Sequence, residues 1–343
     1  MTTADSRSWT HAGSHAPASP DDDLLHAAVG EIRLVCRDVA MIELRACELA
    51  RPLPAFDAGA HIDVHLPNGL IRSYSLCNEP GDPGRYVIGV LRDKASRGGS
   101  AWLHDHLKRG DALRISRPRN NFQLIEDAGR ISMLSGGIGV TPLLSMLRCL
   151  DAKGGTADLL YCARSRVEAP FLDEIVRLAA GGAVQVRWHF DDEAGGPPDL
   201  RPYLQSISPQ GHVYCCGPAA MLGTFEATCR ELGLGRAHTE RFRAEEPAAG
   251  VPVFDGICEI ELARSGIRFT HPKGAPVLKG ILAANGEADY SCEEGVCGAC
   301  ETRIISGQAQ HRDHVLSKAE QDAQEVMMIC VSGCRSNRLV LDL

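Results

Sequence analysis

Between residues 26 and 126 apolar and polar side chains alternate in six short runs, at 31–38, 41–49, 61–68, 72–78, 85–92 and 112–119. A period of two places every second side chain on one face, the mark of a half-buried strand. Pro67-Asn68-Gly69, Pro80-Gly81 and Asp82-Pro83-Gly84 punctuate the runs with turn residues. Six strands at this regular spacing predict a closed antiparallel barrel. One helical stretch, 100–110, interrupts them.

From 127 to 246 the period lengthens. The apolar run 130–135 predicts a strand, and Val140, Leu143, Leu144 and Leu147 follow at helical spacing. Further strands are predicted at 157–164, 183–190 and 212–217, with helices at 170–180 and 219–234. Strands alternating with helices make a parallel sheet covered on both faces. The stretch 245–250 has the composition of a linker, and 251–343 returns to short strands at 258–265 and 267–272 before a cysteine cluster. Residues 1–25, rich in Ser, Thr, Ala, Pro and Asp, predict a disordered tail. The expected division is therefore a tail at 1–25 and domains at 26–126, 127–246 and 247–343.

Composition narrows the function. The 343 residues carry a net charge of −8 without a Lys/Arg run, which argues against a nucleic-acid binder. No stretch approaches the roughly 18 apolar residues of a membrane-spanning helix. No secretory signal is visible, so a cytoplasmic protein is expected, and with it metal binding or isolated thiols for the 14 cysteines rather than a disulfide framework.

Cys292, Cys297 and Cys300 are spaced C-x4-C-x2-C, and Cys330 follows after a long gap. This is the spacing of a plant-type [2Fe–2S] cluster, each iron holding two thiolates. Gly295, Val296, Gly298 and Ala299 keep the intervals small, so that backbone N–H groups can reach the sulfurs. A zinc site or ordinary buried cysteines is the other reading, although structural zinc favours paired short knuckles. Cys334 has no assigned role.

Gly136-Gly137-Ile138-Gly139-Val140-Thr141-Pro142 follows a strand and opens a helix. Such a turn suits a pyrophosphate, but Pro142 replaces the third glycine of the dinucleotide fingerprint, and an ordinary tight turn fits equally. Arg72-Ser73-Tyr74-Ser75 lies in the barrel region, and Cys216-Gly217-Pro218 ends a later strand.

With these motifs in this order ahead of four cysteines, residues 26–343 resemble the ferredoxin–NADP reductase superfamily, and within it the phthalate dioxygenase reductase and vanillate demethylase reductase group. The resemblance implies a multidomain fold: an antiparallel β-barrel for flavin, an α/β parallel sheet for nucleotide and an α+β β-grasp ferredoxin domain. It implies FMN, NADH and a [2Fe–2S] cluster as cofactors, and a Rieske-type oxygenase as the electron acceptor. Arg72, Ser73 and Tyr74 would hold the flavin, and Ser75 would lie near its N5. Arg92, Gly98, Gly99 and Ser100 would make a phosphate nest. Gly137, Gly139, Thr141 and Pro142 would face the nucleotide pyrophosphate. Cys216 and Gly217 would lie beside the nicotinamide, Glu240 and Phe242 against flavin and nicotinamide, and Arg164 near the adenosine ribose. Cys292, Cys297, Cys300 and Cys330 would ligate iron. Arg164 would also suit a 2′-phosphate, whereas Asp191-Asp192 and the resemblance favour NADH. Another monooxygenase or a cytochrome is the alternative acceptor, and a zinc-stabilised nucleotide-binding protein without redox chemistry is the rival class. His311 and His314 are expected on a surface loop.

Overall fold

The structure, a computed structural model, describes residues 24–47, 52–82, 84–94, 96–126, 130–243, 254 and 256–343. The expected tail lies outside these residues, save for Leu24 and Leu25, which lead into the first strand. The expected linker at 245–250 lies outside them too.

The first unit contains β1 (Leu25–Cys36), β2 (Val39–Ala46), β3 (His61–His65), β4 (Ile71–Ser75), β5 (Arg85–Leu91), α1 (Gly99–Asp105) and β6 (Ala112–Ile115). The strands form one antiparallel sheet in the order β4-β3-β6-β1-β2-β5. A bridge between Leu76 and Ile88, and a hydrogen bond from Cys77 N to Val87 O of 2.8 Å, join its two ends into a barrel. Closure leaves no unpaired edge. Ile42, Leu44, Ile62, Val64, Ile88 and Ile115 fill the interior. Each such side chain contributes roughly 1.5–3 kcal/mol on burial.

The second unit runs β7 (Ile131–Gly136), α2 (Val140–Ala152), β8 (Ala157–Ala163), α3 (Leu172–Ala180), β9 (Val184–Phe190), α4 (Asp191–Ala194), α5 (Arg201–Gln205), β10 (Val213–Cys216), α6 (Ala219–Leu232) and β11 (Ala237–Glu240). Its strands are all parallel, in the order β11-β10-β7-β8-β9. Met133 and Leu159 pack with Leu143 and Leu147 of α2 on one face, while Leu134 and Leu160 pack with Leu204 of α5 and Phe225 of α6 on the other. The order reverses between β7 and β10, and ligands of such sheets bind outside the strand C-termini at that reversal.

The third unit holds β12 (Ile257–Leu262), β13 (Arg268–Pro272), α7 (Val277–Ala283), β14 (Glu301–Ser306), β15 (Ala309–Gln310), α8 (Lys318–Ala323), β16 (Val326–Met328), β17 (Gly333–Cys334) and β18 (Arg338–Leu341). The mixed sheet β13-β12-β18-β14-β16, with α7 packed on it through Leu278 and Ile281, is a β-grasp. A capping box between Ser317 and Glu320 starts α8. No helix among the described residues is long and apolar enough to cross a membrane.

Candidate functional site

The glycine-rich turn lies at the sheet's reversal point. Gly137 to Gly139 form one 3₁₀ turn between β7 and α2, with Gly137 at φ +54°. A Cβ on Gly139 would stand 2.2 Å from the Cys216 carbonyl oxygen, so only glycine lets the turn and the end of β10 approach this closely. Thr141 and Pro142 stand in the first turn of α2. Both are buried, and the Thr141 hydroxyl donates to Ile138 O at 2.9 Å. They shape the turn from behind, where proline is tolerated because the first helical turn needs no N–H partner.

Three side chains expected near the reacting atoms come together where barrel meets sheet. Cys216 ends β10, Glu240 sits opposite it on β11, and the Ser75 hydroxyl at the end of β4 donates to Glu240 Oε2 at 3.3 Å. Glu240 keeps some accessible surface, but its carboxyl is densely surrounded by protein. That burial pushes its pKa up to about 8, against the smaller opposing pull of the Ser75 hydrogen bond. Burial likewise holds the Cys216 thiol well above its ordinary range. At neutral pH the seam therefore offers a hydroxyl, a thiol and a mostly protonated carboxyl, a neutral surface suited to hydride transfer. Phe242, two residues on, is 40% exposed. Between them Arg241 is held by Glu226 at 2.9 Å.

On the barrel, half-buried Arg72 lies against the start of α1, so close that a Cβ on Gly99 would meet its Cγ at 2.7 Å. Gly98, Gly99 and Ser100 thus share a wall with Arg72, and the Ser100 hydroxyl donates to Ser96 Oγ at 3.1 Å. Tyr74 packs on the barrel core, and burial raises its pKa. Two expected flavin ligands have other partners. Arg92 makes a forked pair with Asp105 at 2.6 and 3.0 Å. The Ser73 hydroxyl donates to Asp63 at 2.6 Å and stands 3.5 Å from the Ser291 hydroxyl, facing the cysteine loop. Arg164 directly follows β8 with an exposed side chain, its carbonyl accepting from Asp192 N at 3.1 Å.

The loop between α7 and β14 carries Cys292, Cys297 and Cys300, and the turn between β16 and β17 brings Cys330 to them. Cys297, Cys300 and Cys330 are buried and Cys292 is partly exposed. The thiol of Cys292 lies within hydrogen-bonding reach of Cys297 and Cys330, and that of Cys330 reaches Cys300. Backbone N–H groups point at the sulfurs: Glu294 N donates to Cys292 at 3.3 Å, Ala299 N serves Cys297 and Gly295 N serves Cys330. Four thiols brought together, three of them met by N–H donors, match what a [2Fe–2S] cluster requires, because such donors stabilise thiolate charge beside the metal. Among the described residues no three or more His, Cys, Asp or Glu side chains converge as ligands of a single ion.

Two expectations about this unit are corrected. Cys334 is no bystander: it forms a disulfide with Cys258, 76 residues away, joining β12 and β17. That wide spacing gives no signal in sequence. His311 does not lie on the surface; its side chain is 6% exposed and sits 3.7 Å from buried Asp313. Sequence reasoning also missed His61, Asp63, Arg119 and Asn121, which connect the barrel to the cysteine loop.

A barrel, a parallel sheet with its glycine turn at the reversal point, and a four-thiol loop define an iron–sulfur flavoprotein reductase. The family model of a 2Fe-2S iron–sulfur cluster binding domain matches residues 260–335. The chain is 44% identical over 306 residues to the phenoxybenzoate dioxygenase subunit beta of Ectopseudomonas oleovorans, covering 89% of this chain and 93% of that protein. A solved structure described as phthalate dioxygenase reductase, a modular structure for electron transfer from pyridine nucleotides to [2Fe–2S], is 37% identical with a TM-score of 0.68. That match covers 94% of this chain and 98% of that one. An intact type IV self-sufficient cytochrome P450 monooxygenase is 35% identical with a TM-score of 0.83; it spans 96% of this chain, which in turn covers 43% of that longer one. The chain belongs to the phthalate dioxygenase reductase family.

Proposed function

We propose that this protein takes hydride from NADH onto FMN and delivers single electrons through a [2Fe–2S] cluster to a Rieske-type terminal oxygenase in the cytoplasm. The observation that carries the reading is the meeting of Ser75, Cys216 and Glu240 beside the nucleotide turn, on a barrel whose next strand is hydrogen-bonded to the cysteine loop. The division at 26–126, 127–246 and 247–343 gives each cofactor its own unit. The oxygenase partner follows the dioxygenase subunit among the relatives.

When bound, FMN accepts two electrons as hydride and releases them singly, which is what joins a nicotinamide to an iron–sulfur cluster. The protein's part is orientation. Arg72 supplies a fixed cation for the flavin phosphate, with Gly98, Gly99 and Ser100 along the same wall. Tyr74 would offer a flat wall, and Ser75 a hydroxyl for the hydride-accepting edge. Gly137 and Gly139 open the turn to the pyrophosphate, and Cys216 with Gly217 sets the depth of the nicotinamide. Proximity of this kind supplies most of what hydride transfer needs, because no proton must be abstracted from the nicotinamide. Cys292, Cys297, Cys300 and Cys330 would hold the two irons. Phe242, exposed beside the seam, would cover the flavin until nicotinamide arrives.

NADH is favoured over NADPH by charge. Asp191, Asp192 and Glu193 occupy α4 at the end of β9, where a 2′-phosphate would be repelled. Nearby Arg166 is paired with Glu193 at 2.7 Å and lies over the Phe190 ring at 4.3 Å, which leaves Arg164 as the exposed cation at the end of β8. A cytochrome acceptor is the second reading, favoured by the likeness to the P450 chain.

The test is Cys297→Ser. Reduction of an artificial dye by NADH, which draws on the flavin, should persist, while delivery to the oxygenase partner is abolished. Loss of both activities in a folded variant contradicts the proposed order of transfer.

A further inference from the structure

The cysteine loop is gripped from the barrel at its middle cysteine. His61 Nε2 donates to the Cys297 carbonyl oxygen at 3.0 Å, and Asn121 Nδ2 donates to the same oxygen at 3.1 Å. A carbonyl only accepts, so Nε2 carries the imidazole proton. The two donors lie 236 and 176 residues from Cys297 in the chain. His61 is buried, and its other ring nitrogen has no hydrogen-bond partner, so a single bond aims the ring at a single oxygen.

The support beneath His61 is stiff. Its backbone exchanges hydrogen bonds of 2.8 and 3.0 Å with Arg119. The Arg119 guanidinium donates to buried Asp63 at 2.5 Å, and Asp63 also accepts from Ser73 at 2.6 Å. Two lesser contacts flank the grip: the Ser73 and Ser291 hydroxyls approach beside Cys292, and Arg97 pairs with Glu294. Gly298, at φ +76°, leaves room for the amide, since a Cβ there would stand 2.8 Å from Asn121 Nδ2.

We propose that His61 and Asn121 are positioning residues for the flavin-to-cluster electron step, their shared grip on the Cys297 carbonyl docking the cluster loop against the flavin-bearing barrel. This rests on the flavin and cluster reading above. In the step one electron leaves reduced flavin and enters the oxidised cluster, the flavin's proton passing to solvent; neither side chain gains or loses an electron. Electron transfer weakens steeply with distance, so a loop lifted from the barrel slows this step and leaves hydride transfer alone. The same two donors draw density from a ligand's peptide, the kind of influence that tunes a cluster's potential.

The experiment compares wild type with the double variant His61→Leu/Asn121→Ala, each carrying full iron and sulfide. In anaerobic rapid mixing with NADH, flavin reduction should stay within about twofold, while cluster reduction slows at least about tenfold, as loss of two shared hydrogen bonds allows. Amide exchange across 291–299 should quicken by at least about tenfold, a readout of undocking independent of turnover. His61→Gln, which keeps an N–H donor, should recover most of the transfer rate. Should the double variant fold without its cluster, Asn121→Ala decides alone, with slowing of at least about threefold expected. Unchanged cluster reduction and unchanged exchange in a loaded variant overturn the inference. A wild type lacking flavin and cluster bands overturns the underlying reading and this inference together.

Discussion

The Ser75 hydroxyl donates to the Glu240 carboxyl group across 165 residues of chain, at 3.3 Å. That contact ties the last residue of a barrel strand to the last residue of the edge strand in the parallel sheet. It closes the seam on one side of the nucleotide turn and leaves a carboxyl in a nearly dry setting.

Glu240 sets a pH dependence. Burial raises its pKa from 4.5 to about 8, so the fold favours the protonated form. The stability this confers is fully present below the ordinary carboxylate value near 4.5 and is lost as pH rises through about 8. Between pH 5 and pH 9 cofactor-free wild type should lose roughly 2–4 kcal/mol relative to Glu240→Gln, allowing for partial exposure to water. Urea unfolding of both proteins at the two pH values measures it; parallel curves contradict it.

Gly139→Ala tests the close approach at the turn. The added methyl meets the Cys216 carbonyl at 2.2 Å and must push β10 away. A destabilisation of about 1–3 kcal/mol is expected. Cys216 moves with the strand, so kcat/KM for NADH should fall at least about tenfold. Steady-state kinetics with an artificial acceptor decide the matter.

The Cys258–Cys334 disulfide makes a chemical prediction. When the protein is unfolded without reductant and alkylated, these two cysteines alone should escape labelling. Peptide mass spectrometry reads this directly, and prior reduction should make both reactive.

The barrel was legible because short, turn-bounded β runs recur at regular spacing, β6 alternating exposed and buried while β2 and β5 are buried along most of their length, and the parallel sheet because Val140, Leu143, Leu144 and Leu147 mark a helix after a glycine turn. All four of those residues are fully buried. The β-grasp was less legible: β15 and β17 are two residues each, too short to carry a period. At the sites, motif residues gave Ser75, Cys216, Glu240 and the cysteine loop. What stayed hidden was the second set of contacts. His61 and Asp63 stand on β3 as ordinary polar positions opposite Ile62 and Val64, and their partners, the Cys297 carbonyl for His61 and Ser73 with Arg119 for Asp63, are set only by the folded chain. Ser73 and Arg92 carry suitable chemistry for a flavin, yet neighbours distant in sequence, Asp63 and Asp105, engage them. Thr141 and Pro142 fit the motif by type and serve it from inside the turn.

The central claim is that flavin and a two-iron cluster reside in one chain. Protein purified without oxygen and extracted should yield one FMN, two irons and two acid-labile sulfides per chain, and show both flavin and sulfide-to-iron absorption bands. A colourless, sulfide-free protein, or one carrying a single zinc in place of iron, contradicts the account.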